Sequence, residues 1–168
     1  MTRFLGAFLL VAAAASIGLL KSIEVRKHPI LLREFSEALV LIRNEIAAKN
    51  ALLPDAITQT AGTCSECVRP FFSDLSAAMT VRDILFSEAW TQTAARCSGL
   101  NPREREALGR LGLHLGKYDK GTQLKAIDTC IELFRSMSAQ AQQDAKQFGR
   151  LYAGIGLTVG SMLAVALY

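Results

Sequence analysis

The sequence predicts an all-α protein: a cytoplasmic bundle of about six helices between N- and C-terminal transmembrane helices, the last helix long and continuous into the membrane. Three observations predict it. Two charge-free apolar runs close the chain, seventeen residues from Phe4 to Leu20 and eighteen from Leu151 to Tyr168. As a helix the second reaches roughly 27 Å, close to the ~30 Å hydrocarbon core of a bilayer. Between the runs, apolar residues recur at steps of three and four behind helix-start signals. No stretch has the alternation or turn chemistry of a sheet.

Charge separates these regions. Of 19 Lys and Arg, 18 fall in Lys21–Arg150 with all 15 Asp and Glu, which leaves that segment at +3 and well mixed in sign. Nucleic acid is therefore not an expected partner, since it calls for a concentrated basic face. The division is 1–21 as an N-terminal membrane anchor, 22–150 as a cytoplasmic helical domain and 151–168 as a C-terminal transmembrane helix. Met1-Thr2-Arg3 before an apolar stretch and the small residues of 12–16 also fit a secretory signal peptide. The run exceeds the ~7–15-residue core of such a peptide, and cleavage after the alanines would fall inside it. Lys21, Arg26 and Lys27 after the first run, and Lys146 and Arg150 before the second, place the middle on the cytoplasmic side. Ala14 and Gly18 are four apart in the first run, and Gly156, Gly160 and Ala164 share that spacing in the second. Small residues at this spacing let membrane helices pack closely, although Gly and Ala are common in such helices in any case.

Within the middle, Pro29 suits a helix first turn, and Leu31, Phe35, Leu39, Ile42 and Ile46 form an apolar stripe. Asp55–Ala61 makes a short second helix that Gly62-Thr63 ends. Glu66–Met79 reads as a third, although Pro70 is tolerated only in a first turn and moves the start toward Arg69. Thr80 with Asp83 resembles a capping box for a fourth helix carrying Val81, Ile84, Leu85, Ala89 and Trp90 and running to about Cys97. Trp90 is a core residue by default, with an exposed partner anchor as the alternative. Asn101-Pro102-Arg103-Glu104 starts a fifth helix, which Gly116 ends in a left-handed conformation. Asp119 caps the last helix. Its seam of Leu124, Ile127, Ile131, Phe134, Ala141, Ala145, Phe148 and Tyr152 has no proline to interrupt it.

Chemistry is thinly represented. Cys64 and Cys67 form one C-x-x-C, while Cys97 and Cys130 stand alone. A zinc site usually shows two close pairs, and thioredoxin chemistry needs a βαβ pattern. The four are expected to be structural, with a metal site built from them as the weaker alternative and a redox pair weaker still. Gly112-Leu113-His114-Leu115-Gly116-Lys117 superficially resembles a phosphate loop. It has Leu111 where a glycine is needed, Tyr118 where a serine or threonine is needed, and no preceding strand. Neither histidine has a metal-site partner, and no nucleophile elbow is present. No catalytic residue and no cofactor is expected.

Leu111-Gly112-x-x-Leu115-Gly116-x-x-Asp119-x-x-x-Gln123-x-x-x-Ile127 and Gly149-Arg150-Leu151-Tyr152 resemble the signature stretches of the stage III sporulation protein AB family. Glu45-Ile46, Leu53-Pro54-Asp55-Ala56, Trp90 and the N-terminal run support this in order along the chain. The resemblance implies a mother-cell membrane protein of endospore-forming bacteria, without catalytic residues. Its soluble domain would be similar to that of the type II secretion and type IV pilus platform protein. The resemblance also implies a cytoplasmic secretion-type ATPase and other sporulation-channel proteins as partners, with the protein in the outer forespore membrane on the mother-cell side. A second copy of the chain is a further candidate partner. The physical reading places Gly112 and Gly116 one turn apart for close helix approach, with Asp119 and Gln123 fixing the joint before the exit helix. The Cys64–Cys67 loop departs from the family pattern. The rival readings are an exported, tail-anchored cysteine-bearing domain left after signal-peptide cleavage, and a zinc-dependent adaptor.

Overall fold

The computed structural model describes residues 27–80 and 84–166, with side chains through Gln147. Among the described residues there are six helices and no strand: α1 (27–49), α2 (Leu53–Thr63), α3 (Arg69–Thr80), α4 (Phe86–Arg96), α5 (Pro102–His114) and α6 (Lys120–Ala166). The chain divides into two units, Ile30–Ser138 and a second made of Met1–Pro29 with Ala139–Tyr168. The first unit contains α2 to α5 whole, with most of α1 and the opening turns of α6.

Helix α1 buries Leu32, Phe35, Leu39, Ile42 and Ile46. The stripe thus begins one residue later than the sequence suggests. Leu31 is half-buried and turns toward the α4–α5 connection, where a Cβ on Gly99 would lie 2.8 Å from its Cδ2. Helix α1 ends at Asn50, whose φ of 52° is left-handed, a region Asn tolerates better than most residues. The Nζ of Lys120, the first residue of α6, donates to the Ala47 carbonyl at 3.2 Å and to Asn50 Oδ1. One lysine therefore satisfies an open carbonyl at the end of α1 and ties that end to the start of α6.

Helix α2 buries Ala56, Ile57 and Thr60, and its neighbour α3 buries Phe71, Phe72 and Leu75. Pro70 sits in the first turn of α3, and 66–68 form a turn rather than helix, with Val68 and Arg69 N–H both donating to the Ser65 carbonyl. Helix α4 begins later than expected. Thr80 is the last residue of α3, and its hydroxyl donates to the Ser76 carbonyl (3.1 Å) within that helix. Val81 and Asp83 lie outside the described residues. Extended Leu85 precedes α4 without a side-chain cap, and Ile84 and Leu85 are exposed rather than in the core. Helix α5 begins as its sequence indicates: Asn101 Oδ1 accepts from Glu104 N–H (3.0 Å) while Glu104 Oε2 accepts from Asn101 N–H (2.8 Å).

An aromatic chain runs through the core. Phe134 of α6 meets Phe35 of α1 (centroids 5.9 Å apart), Phe35 meets Phe71 of α3 (5.5 Å), and Phe71 meets Trp90 of α4 edge-on (5.5 Å). Each ring removes apolar area from water, worth roughly 1.5–3 kcal/mol when fully buried, and edge-on pairs add about 0.5–1.5 kcal/mol. Helix α6 contributes Ile127, Cys130, Ile131 and Phe134, while Leu124 is only half-buried. Arg43 of α1 pairs with Asp128 of α6 across the partly exposed margin.

The backbone of α6 is unbroken over 47 residues from Lys120 to Ala166, as the absence of proline predicts. Among the described residues no helix is long and apolar enough to cross a membrane. The expected N-terminal span 1–21, with Ala14 and Gly18, lies outside the described residues. So do the side chains of Arg150 and of the expected C-terminal span 151–168, with Gly156, Gly160 and Ala164.

Candidate functional site

Helix α5 carries Gly112 and lies between Trp90 on α4 and the Gly116–Gln123 turn into α6, and it has two working faces. The first packs on α4. Trp90 is fully buried, and its indole Nε1 donates to the Leu108 carbonyl at 2.7 Å. That oxygen already lies inside a helix, so it offers its second lone pair. Gly112 makes the approach possible. A Cβ there would stand 2.3 Å from Trp90 Cδ1, 2.5 Å from Cγ and 2.8 Å from Cβ. The crowding reaches the stem of the tryptophan, so no rotation of the ring relieves it.

Gly116 does something different from Gly112. It lies beyond the end of α5, with a φ of 77°, so the pair does not form one helix face. Its left-handed turn ends the helix, as glycine does at little steric cost. A Cβ there would be 3.6 Å from Phe86 and 3.9 Å from Leu53, which brings the end of α5 beside the starts of α4 and α2. Asp119 then opens α6. Its Oδ2 accepts from Thr122 N–H (3.1 Å) and its Oδ1 from the Thr122 hydroxyl (2.8 Å). These bonds, the hydroxyl's first, hold the fully exposed Asp119 carboxyl below its ordinary pKa. Gln123 Nε2 donates back to the Tyr118 carbonyl at 2.6 Å, closing the turn. Trp90, Gly112, Gly116, Asp119 and Gln123 thus fall along one continuous joint from α4 through α5 to the start of α6. The Arg150 side chain lies outside the described residues.

The cysteines do not converge. All four are free: Cys64 and Cys130 are buried, Cys97 is half-buried and Cys67 is exposed. Among the described residues no three His, Cys, Asp or Glu side chains gather where they could hold a metal ion. Burial pushes the thiols of Cys64 and Cys97 up, and that of Cys130 up to about 12. Burial thus favours the protonated thiol over the thiolate that acts as a nucleophile. Cys64 instead closes α2, its N–H donating to the Thr60 carbonyl at 2.8 Å, while Arg69 donates to the Cys64 carbonyl at 3.2 Å. That fixes the C-x-x-C as the α2–α3 turn.

The second face of α5 looks onto α6 across a groove of about 600 Å³. Ala107, Leu111, Ala126, Cys130, Leu133 and Met137 supply its apolar lining, with Arg103, Arg110, Lys125 and Glu106 as its charged side chains. Sequence reading missed this groove. Its signal is present: Thr122, Ala126, Cys130, Leu133 and Met137 form a second stripe on α6 beside the core seam, at steps of four, four, three and four.

Among the described residues the fold and site define an all-helical domain in which one motif glycine admits a tryptophan, the other ends a helix, and the open feature is a groove between helices. Residues 3–168 match the model of the stage III sporulation protein AB family, and the chain belongs to that family. It is similar to a solved structure of a stage III sporulation protein AB at 27% identity and a TM-score of 0.62, covering 69% of this chain and 94% of that one. No curated protein matches the chain.

Proposed function

We propose that this chain is a non-enzymatic membrane platform for sporulation. Its helical domain faces the mother-cell cytosol, and both ends sit in the outer forespore membrane, where it helps assemble a secretion-like channel complex. Family membership supports the sporulation role. The two charge-free runs and their basic flanks support the double anchor and its orientation. The observation that carries the platform reading is the hydrogen-bonded joint at Asp119 followed by the unbroken α6. A helix started at a fixed joint and continued without a break passes a displacement along its length, which suits a scaffold better than a linker.

The partner in this reading is a cytoplasmic secretion-type ATPase together with other proteins of the channel. Full-length chain, affinity-tagged and extracted from membranes of sporulating cells in mild detergent, is expected to retain an ATP-hydrolysing protein of that type. It should show no hydrolysis of its own after the partner is stripped with salt. Recovery of extracytoplasmic proteins alone would overturn the orientation, and hydrolysis by the stripped chain would overturn the non-enzymatic assignment.

A further inference from the structure

We propose that the groove between α5 and α6 docks an acidic amphipathic helix, three to four turns long, from a protein partner. The inference rests on the platform reading and names the chemistry of what that platform would hold. Its first support is the geometry of the walls. On α5 the lining positions are 103, 106, 107, 110, 111 and 114, and on α6 they are 122, 125, 126, 129, 130, 133 and 137. Both follow the i, i+3, i+4, i+7 pattern, so each wall is one helical face. At about 1.5 Å per residue the walls are roughly 16 and 22 Å long. A helix of about 11–15 residues matches that length, and its i, i+3, i+4, i+7 apolar face matches a floor of small and flexible residues. Met137 and Leu133 suit such a floor because they repack around different side chains.

Charge selects the occupant. Arg103, Arg110 and Lys125 face the groove against Glu106, whose carboxylate already accepts from Arg110 at 2.6 Å. The groove is therefore net positive, and an occupant with carboxylates flanking its apolar face is drawn to it. The charge-free Phe4–Leu20 run carries no side-chain carboxylate to offer it.

The test measures fluorescence anisotropy of the full-length chain in detergent with two labelled helical peptides of about fourteen residues. They share one leucine face, flanked by glutamates in one and by lysines in the other. The glutamate peptide is expected to bind at least about tenfold tighter, and the double variant R103E/K125E to invert that preference. Leu133→Glu, at a position already 37% exposed, should abolish binding of the glutamate peptide while helix content and thermal midpoint stay unchanged. Equal binding of the two peptides, binding of neither, or binding indifferent to the variants overturns the proposal. So does a concentration-dependent dimer lost in Leu133→Glu, which would assign the groove to a second copy. If the ATPase still co-purifies with both variants, the groove assignment falls and the platform stands. If the glutamate peptide binds as expected but no ATPase co-purifies, the platform falls and the groove stands.

Discussion

Helix α5 presents two opposite solutions on its two faces. Toward α4 there is no slack: Gly112 leaves room for Trp90 and nothing more, and the indole proton is claimed by the Leu108 carbonyl. Toward α6 there is open space of about 600 Å³ edged by basic side chains. A packed face specifies the fold, because any change there is felt at once. An open face with unpaired apolar lining contributes little to the fold and remains free for recognition. The motif glycine and tryptophan therefore belong to construction, and the surface for partners lies on another face of the same helix.

Substitutions can break or sharpen that contrast. The largest effect is expected from Trp90→Ala, which empties the junction of α3, α4 and α5 and should destabilise by about 3–5 kcal/mol in urea unfolding. Gly112→Ala should follow at about 1–3 kcal/mol, since its methyl must displace the tryptophan stem. Trp90 is the chain's one tryptophan, so its fluorescence reports this joint directly. In a Trp90→Leu background the Gly112→Ala penalty should shrink, the coupling expected of two residues in contact. An undiminished penalty would mean that the glycine matters for another reason. Asn101→Ala, which removes a capping box, should lose about 1 kcal/mol. On the open face, Arg103→Glu should stay within about 0.5 kcal/mol of the parent while altering binding.

Acid gives a smaller and local effect. The Asp119 carboxyl titrates lower in the folded chain than in the unfolded one, so its support for α6 is present above the ordinary carboxylate range. That support is lost as pH falls through the depressed folded value. Hydrogen exchange at the Thr122 amide should therefore rise on acidification, against the intrinsic trend. An Asp119→Ala variant should show the faster exchange at every pH.

Helix number and the α5 cap were legible because they depend on neighbours in sequence. Asn101 through Glu104 carry both halves of a capping box within four residues. The long α6 was legible for the same reason, as a run without a breaker. The start of α4 was not, because Thr80 fits two local roles and only the extension of α3 to Thr80 decides between them. Leu31 was misplaced by one position because its contact is with Gly99, far along the chain. In the joint, sequence could flag Gly112 and Trp90 separately but could not pair them, since they sit on different helices. The groove was hidden by a stronger signal: the core seam of Ile127, Ile131 and Phe134 runs beside the second stripe on the same helix. Cys130 belongs to both, buried yet lining the groove.

The platform reading requires the helical domain to lie on the cytosolic side between two membrane anchors. Cys67, exposed on the α2–α3 turn, is the natural reporter, because Cys64 and Cys130 are buried and Cys97→Ser removes the remaining half-exposed thiol. In intact sporulating cells carrying that variant, a membrane-impermeant maleimide should leave Cys67 unlabelled until the membrane is opened, then label it within minutes. Labelling of Cys67 in intact cells would place the domain outside and contradict the platform reading.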